Sequence, residues 1–222
     1  MKFWGCRRRQ PPFFNMAETI LSLKDIVMDY GAERVLDHVS IDISAGEAVG
    51  IFGRNGAGKS TLLSIMAGTL KPVSGTRTVS PELKGKISYV PQDIGLYPSL
   101  TGRQNLEYWA EAYGLFGRRE RARVNYLLEL FGLADKANKR VETYSGGMKR
   151  RLNMAAALVV TPKLMLLDEP TVGADEASVG VMLDTLRRMK ENGTAVVLIS
   201  HITDDLSSVC DRVVTLSEGK TE

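Results

Sequence analysis

The feature that most constrains this chain is a glycine-rich octapeptide, residues 53–60, with the sequence Gly-Arg-Asn-Gly-Ala-Gly-Lys-Ser. A short apolar run, Ala48–Phe52, precedes it and predicts a buried strand, and the residues that follow have a helical pattern. Glycines let backbone N–H groups approach an anion closely, and the helix presents its positive N-terminus to the same point. The octapeptide therefore predicts a phosphate-binding loop. A chance match has a probability on the order of one per cent, which disfavours a glycine turn without a ligand.

The residue types in this loop suit a nucleotide and its metal ion. Lys59 supplies a positive charge to the outer phosphates, and the hydroxyl of Ser60 can ligate Mg²⁺. By itself the loop is compatible with either ATP or GTP. The predicted nucleotide-binding residues are Gly53, Arg54, Asn55, Gly56, Ala57, Gly58, Lys59, Ser60 and Thr61.

A second motif places two carboxylates after an apolar strand, residues 164–167. Open α/β sheets bind ligands at the carboxyl ends of their strands, where Asp168 and Glu169 follow. Asp168 can hold Mg²⁺, and Glu169 can polarise an attacking water as a general base. Taken alone, the pair could equally be a helix cap and a surface acid. The phosphate loop in the same chain favours the catalytic interpretation.

Strand and helix patterns alternate along the chain and predict an α/β fold. Residues 20–27 and 39–43 alternate like strands of an N-terminal antiparallel subdomain, joined by a turn near residues 30–31. Compact apolar runs at residues 87–90, 164–167 and 195–200 predict buried parallel strands separated by helices. Two charged helices, residues 102–113 and 118–131, predict an α-helical insertion, and Thr101 with Gln104 forms a capping box for the first. The expected class is a P-loop NTPase with a mostly parallel sheet.

The domain organisation follows from these patterns and from charge. We expect residues 1–16 to be a disordered leader and residues 17–222 to form one domain. Residues 17–100 and 145–222 would form the sheet lobe, and residues 101–150 the helical subdomain. The leader could instead be an over-extended start before Met16, or a basic-aromatic arm that contacts anionic lipid.

The net charge of +3 comes from the leader, which carries four basic residues and no acidic one. The rest of the chain has 25 basic and 26 acidic residues, a net charge of −1, so no nucleic-acid partner is expected. No apolar run approaches the roughly 18 residues that a membrane helix needs. Cys6 and Cys210 lie far apart, give no metal-binding spacing and suit a reducing compartment.

Further motifs resemble those of the ATP-binding-cassette (ABC) ATPases, in that family's order. Tyr144-Ser-Gly-Gly-Met148 resembles the family's signature sequence, and Gln92 resembles the glutamine of its Q-loop. Residues 172–175 resemble the D-loop, His201 the switch histidine, and Tyr30 the aromatic residue that stacks on adenine. The similarity extends from about residue 20 to residue 222. It narrows the ligand to ATP with Mg²⁺.

The resemblance implies a mechanism in which two cassettes, either two copies or this chain and a sister subunit, pack head to tail. Ser145, Gly146 and Gly147 of one chain would then contact the γ-phosphate bound by the other, with Asp175 at the dimer interface. The implied catalytic residues are Glu169, His201, Gln92 and Lys59, and the implied metal ligands are Ser60, Gln92 and Asp168. Hydrolysis would drive a separate transmembrane permease from the cytoplasmic face of the cell membrane.

Departures from the commonest family pattern leave the chemical groups in place. In the signature sequence, Tyr144 stands where leucine is usual and Met148 where glutamine is usual. In the D-loop, Ala174 stands where leucine is usual. The sequence around residues 144–152 is similar to the drug-exporter branch, which favours export.

Several positions leave alternatives open. His201 could be a hydrogen-bonded core histidine. Lys149, Arg150 and Arg151 lie near a helix start, where cations oppose the helix dipole. They could meet the phosphates of a partner's nucleotide, or they could point into solvent. A soluble, non-transport ABC ATPase and a phosphate-loop kinase are the alternative functions. The short insertion and the charge of the body disfavour the first, and Ser145–Gly147 is unnecessary for the second.

Overall fold

The computed structural model describes residues 18–221. The expected leader, residues 1–16, lies outside the described residues. Within the described residues, the strands are β1 (Thr19–Tyr30), β2 (Glu33–Ser44), β3 (Ala48–Phe52), β4 (Ser74–Val79), β5 (Ile87–Val90), β6 (Leu164–Asp168), β7 (Ala195–Ile199), β8 (Arg212–Ser217) and β9 (Lys220–Thr221). The α-helices are α1 (Lys59–Ala67), α2 (Gly102–Ala112), α3 (Gly117–Leu130), α4 (Gly146–Ala157), α5 (Glu176–Glu191) and α6 (Thr203–Val209).

The central sheet has the strand order β5-β6-β7-β3-β8-β9 and is parallel except at β9. β3 and β7 contain no polar side chain, and β6 is apolar up to Asp168, because both faces of this part of the sheet are covered. On β6, Leu164 and Leu166 face one hydrophobic cluster, and Met165 and Leu167 face the other. β3 lies inside the sheet, so the loop that follows it emerges beside the ends of its neighbours.

The N-terminal strands form a separate antiparallel sheet with the order β2-β1-β4. Its apolar residues, such as Leu23 and Ile26, pack with Leu62 of α1 and Val197 of β7 in one cluster. The predicted α/β class, with a mostly parallel sheet, an N-terminal antiparallel sheet and inserted helices, is confirmed.

Helices α2, α3 and α4 follow one another between β5 and β6, where the helical insertion was predicted. The predicted capping box is confirmed. The Thr101 hydroxyl oxygen accepts a hydrogen bond from the Gln104 N–H, and the side-chain oxygen of Gln104 accepts one from the Thr101 N–H. α3 buries Val124, Leu127 and Leu128 in the cluster that also holds the apolar residues of α4.

The sequence patterns did not predict three strands, β4, β8 and β9. β4 and β8 have mixed burial along their length, and β9 has only two residues, so none gives a clear apolar period. Between residues 18 and 221, no helix combines the length and the apolar character that crossing a membrane requires.

Candidate nucleotide-binding site

The phosphate loop connects the end of β3 to the start of α1. Gly58 caps α1 with φ 96° and ψ 8°, a left-handed conformation, and a Cβ there would lie 2.7 Å from the carbonyl oxygen of Val35. Only glycine fits this position without strain. Lys59 is buried, and its Nζ donates to the carbonyl oxygens of Gly53 at 2.7 Å and Arg54 at 3.0 Å. The ammonium group therefore lies inside the curve of the loop.

The two carboxylates occupy the end of β6 and the residue after it. Asp168 is buried, and burial raises the pKa of its carboxyl group, although a hydrogen bond from the Ser60 hydroxyl and the charge of Lys59 oppose the shift. The hydroxyl of Ser60, in the first turn of α1, thus points at the carboxyl group of Asp168. Hydroxyl and carboxylate oxygens are ligands that suit Mg²⁺, which commonly combines one or two carboxylates with the phosphates of its substrate. The donor set fits the predicted metal ion.

Glu169 has a backbone conformation that is uncommon for a residue with a side chain. Its φ is 47°, its N–H donates to the carbonyl oxygen of Ile199 at 3.1 Å, and it is buried. Left-handed non-glycine residues require support from the surrounding structure and cluster at functional sites. The Oε2 of Glu169 lies 3.4 Å from Nδ1 of His201, which is half exposed after β7.

One open cleft of about 460 Å³ collects many of the predicted binding residues. This size is typical of small-molecule sites. An adjoining cleft shares Asn55, Gln92 and Glu169 with the first and also reaches His201. The first cleft is lined by Tyr30, Glu33, Val35, Asn55, Gly56, Gly58, Lys59, Ser60, Thr61, Gln92 and Glu169.

Ser145, Gly146 and Gly147 do not line either of these clefts in the described chain. They form the start of α4, where the Ser145 hydroxyl oxygen accepts from the Met148 N–H at 3.2 Å. This cap leaves the hydroxyl hydrogen free to donate to another group. Within one chain the three residues are therefore separate from the phosphate loop.

Gly147 has a packing role that the sequence did not reveal. A Cβ on Gly147 would lie 2.3 Å from Oδ2 of Asp175 and 2.5 Å from Oγ of Ser178. Asp175 caps α5, with Oδ1 accepting from the Ser178 N–H and Oδ2 from its hydroxyl. These hydrogen bonds lower the pKa of Asp175. α4 and α5 therefore approach closely because residue 147 lacks a side chain.

Two of the three cations near the start of α4 bind backbone oxygens of the same chain. Arg150 donates to the carbonyl oxygens of Val172 and Gln92, and Arg151 donates to that of Phe131 at 2.6 Å. The alternative that these two arginines point into solvent is wrong. Their hydrogen bonds also offset the cost of placing cations near a helix N-terminus without a partner's phosphates.

A buried carboxylate that the sequence analysis missed supports the two segments that carry the predicted catalytic residues Glu169 and His201. Asp205 of α6 accepts from the hydroxyls of Thr171, two residues after Glu169, and Ser200, one residue before His201. The acidic pair Asp204-Asp205, shortly after His201, was the only available signal. Such a pair at a helix start usually needs no explanation beyond the helix dipole.

Comparison with known proteins places these features in a family. The sequence profile described as "ABC transporter" matches residues 36–172. The linearmycin resistance ATP-binding protein LnrL of Bacillus subtilis is 38% identical over 209 residues, covering 90% of this chain and 67% of that protein. The Nod factor export ATP-binding protein I of Rhizobium etli is 35% identical, covering 98% of this chain and 70% of that protein. A solved dimer of the ATP-binding cassette MJ0796, in a post-hydrolysis state bound to ADP and Pi, is 28% identical, with a TM-score of 0.83 over 91% of this chain and 97% of that one.

Proposed function

The chain belongs to the ABC transporter family as an ATP-hydrolysing, ATP-binding subunit, and from that premise we propose how its residues work. Two chains, either two copies or this chain and a sister subunit, close head to tail around ATP and drive export through a separate membrane permease. The observation that carries this proposal is the single cleft in which Lys59, Ser60, Gln92 and Glu169 meet. Names that refer to resistance and export among its relatives support the direction.

The proposed chemistry follows from the geometry around the phosphate loop. Lys59 is held inside the loop by two carbonyl oxygens and lies ready to neutralise the outer phosphates. Ser60, Gln92 and Asp168 would hold Mg²⁺. The ion supplies charge that stabilises the developing negative charge on the phosphates. Glu169 polarises the attacking water, and His201, 3.4 Å from it, orients the carboxylate and contacts the γ-phosphate.

The separation of Ser145–Gly147 from the cleft supports a composite site. A helix start that carries a free hydroxyl hydrogen and backbone N–H groups is suited to a phosphate. The start of α4 lines neither cleft of its own chain, which supports a contact with nucleotide in the cleft of a second chain. Asp175, at the adjacent start of α5, would then lie in the dimer interface, and Tyr30, 52% exposed at the mouth of the cleft, would stack on adenine.

An apolar groove beside Gln92 is the proposed docking site for the permease. Its walls include Tyr89, Val90 and Pro91 from the segment that leads to Gln92, together with Trp109 and Tyr113 of the helical part. One continuous segment, residues 89–92, therefore lines both the groove and the nucleotide cleft. A movement of Gln92 on ATP binding or hydrolysis would therefore be transmitted to a permease segment bound in the groove. The subunit would accordingly work at the cytoplasmic face of the membrane.

The test uses Glu169→Gln, which preserves the shape of the side chain and removes the base. We expect this variant to bind ATP, to hydrolyse it at least about a hundredfold more slowly, and to accumulate as an ATP-dependent dimer measured by light scattering. Adding Lys59→Met should abolish the dimer because ATP no longer binds. The parent chain should lose specific ATPase activity on dilution to monomer. Normal turnover by Glu169→Gln, or activity per chain that is independent of protein concentration, would contradict the proposal.

A further inference from the structure

The guanidinium group of Arg150 joins three segments that carry different parts of the candidate site. Arg150 lies in α4, five residues after the cap residue Ser145. Its Nε donates to the carbonyl oxygen of Val172 at 3.2 Å, and its Nη1 donates to that of Gln92 at 2.5 Å. One side chain therefore connects α4 to the segment after β5 and to the segment after β6.

A second side chain of α4 holds the segment that follows β5. Asn153 lies about one helical turn beyond Arg150, so both project from the same face. It is buried, and its Oδ1 accepts from the backbone N–H of Gly95 at 3.1 Å. Contacts at Gln92 and Gly95 thus fix this segment to α4, and the segment must follow a rotation of that helix.

The Val172 contact leads directly to Glu169. The Val172 N–H returns to the carbonyl oxygen of Glu169 at 3.4 Å, which closes a short turn. The same turn lies against the start of α4, because a Cβ on Gly146 would be 3.2 Å from the carbonyl oxygen of Gly173. A shift of Arg150 relative to Val172 would therefore move the backbone that supports Glu169.

The chemistry of arginine suits this position. A guanidinium group has donors that point in different directions, so it can satisfy two carbonyl oxygens from two segments at once. A lysine has a single nitrogen and cannot span both oxygens in the same geometry. Arg150 lines neither cleft, so it does not touch the nucleotide in its own chain.

We propose that Arg150 is a positioning residue for hydrolysis. It keeps Gln92, the turn after Glu169 and the start of α4 in one fixed arrangement, so that the cleft of its own chain and the surface offered to a second chain adjust together. The inference rests on the proposed function, since it requires Gln92 and Ser145 to meet nucleotide in a closed dimer.

The experiment compares Arg150→Met with Lys149→Met in the full chain. Both variants lose one positive charge at neighbouring positions of α4, but only the first loses the two carbonyl contacts. For Arg150→Met we expect kcat to fall about tenfold, because small displacements of catalytic groups slow the reaction. The Kd with which the monomeric variant binds a fluorescent ATP analogue should change less than about twofold, since the phosphate loop is unchanged. Arg150→Lys should recover part of the lost kcat, and Lys149→Met should resemble the parent chain.

A second readout measures dimer closure directly. In the Glu169→Gln background, Arg150→Met should lower the fraction of ATP-induced dimer, whereas Lys149→Met should not. An unchanged kcat and dimer fraction would overturn the role of Arg150. A parallel loss of kcat, ATP affinity and resistance to urea would overturn it too, because that pattern marks a merely structural residue. Failure of Glu169→Gln alone to dimerise would instead count against the proposed function.

Discussion

The hydroxyl of Thr171 donates a 2.6 Å hydrogen bond to Oδ2 of Asp205, and both residues are buried. The same carboxylate oxygen accepts from the Ser200 hydroxyl at 3.4 Å, and the Ser200 oxygen accepts from the N–H of Ile202 at 3.0 Å. Asp205 therefore connects the turn after Glu169 to the segment that carries His201. The side chains of Glu169 and His201 lie 3.4 Å apart, and Asp205 supports the segments that carry both.

Replacing Asp205 with asparagine should impair turnover and stability together. Both hydroxyls donate to the same carboxylate oxygen. The variant therefore offers them either a neutral amide oxygen, which accepts more weakly, or an amide NH₂ group, which leaves both without this acceptor in a buried site. We expect the free energy of unfolding in urea to fall by about 1–3 kcal/mol and kcat to fall roughly tenfold. Asp204→Asn is the matched control, because Asp204 lies beside it in α6 and is exposed. Equal effects of the two substitutions would contradict this role of Asp205.

Replacing Asp168 with asparagine should not destabilise the free protein, but it should reduce the stabilisation that nucleotide provides. Burial raises the pKa of Asp168, so the folded protein holds this proton more tightly than the unfolded chain. That stabilising contribution is present at low pH and is lost as pH rises through the raised pKa, because the ionised group is then buried. In EDTA at pH 7, the Tm of Asp168→Asn should equal or exceed that of the parent.

The nucleotide supplies the contrast for this variant. Mg²⁺ and ATP should raise the Tm of the parent but raise that of Asp168→Asn much less, since a proposed metal ligand is missing. Below the usual pKa range of aspartate, the difference in Tm between the metal-free proteins should disappear. A lower Tm for the variant at pH 7 in EDTA would contradict this prediction. It would show that burying the carboxylate costs less free energy than its hydrogen bonds contribute to stability.

The thiol of Cys210 should be unreactive in the folded protein. Burial raises the pKa of this thiol to about 12, so the reactive thiolate is scarce at pH 8. In a Cys6→Ser background, labelling by iodoacetamide should be roughly a hundredfold or more slower in buffer than in urea. Mass spectrometry of the labelled peptide would measure both rates. Comparable rates would mean that the segment around Cys210 opens readily.

The sequence predicted the parts of the site that are continuous along the chain. Lys59 and Ser60 were identified because the phosphate loop contains its own turn, helix start and charge in eight residues. Asp168 and Glu169 were identified because a short apolar strand ends at them. The contacts of Arg150 and Asp205 could not be predicted in this way. Gln92, a partner of Arg150, and Thr171, a partner of Asp205, lie 58 and 34 residues away from them, and only the packing of α4 and α6 against the loops brings these residues together.

A glycine pair offers a test of how closely α4 and α5 pack. Gly147→Ala would place a Cβ 2.3 Å from Oδ2 of Asp175, which is held by Ser178, so the two helix starts must separate. We expect the free energy of unfolding to fall by about 1–3 kcal/mol. Gly180→Ala is the control: Gly180 is exposed in α5, and a Cβ there meets no atom within 4 Å. This control should raise stability by about 0.5–1 kcal/mol, because alanine favours a helix. Urea unfolding of both variants checks the prediction, and a stabilising Gly147→Ala would refute the close contact.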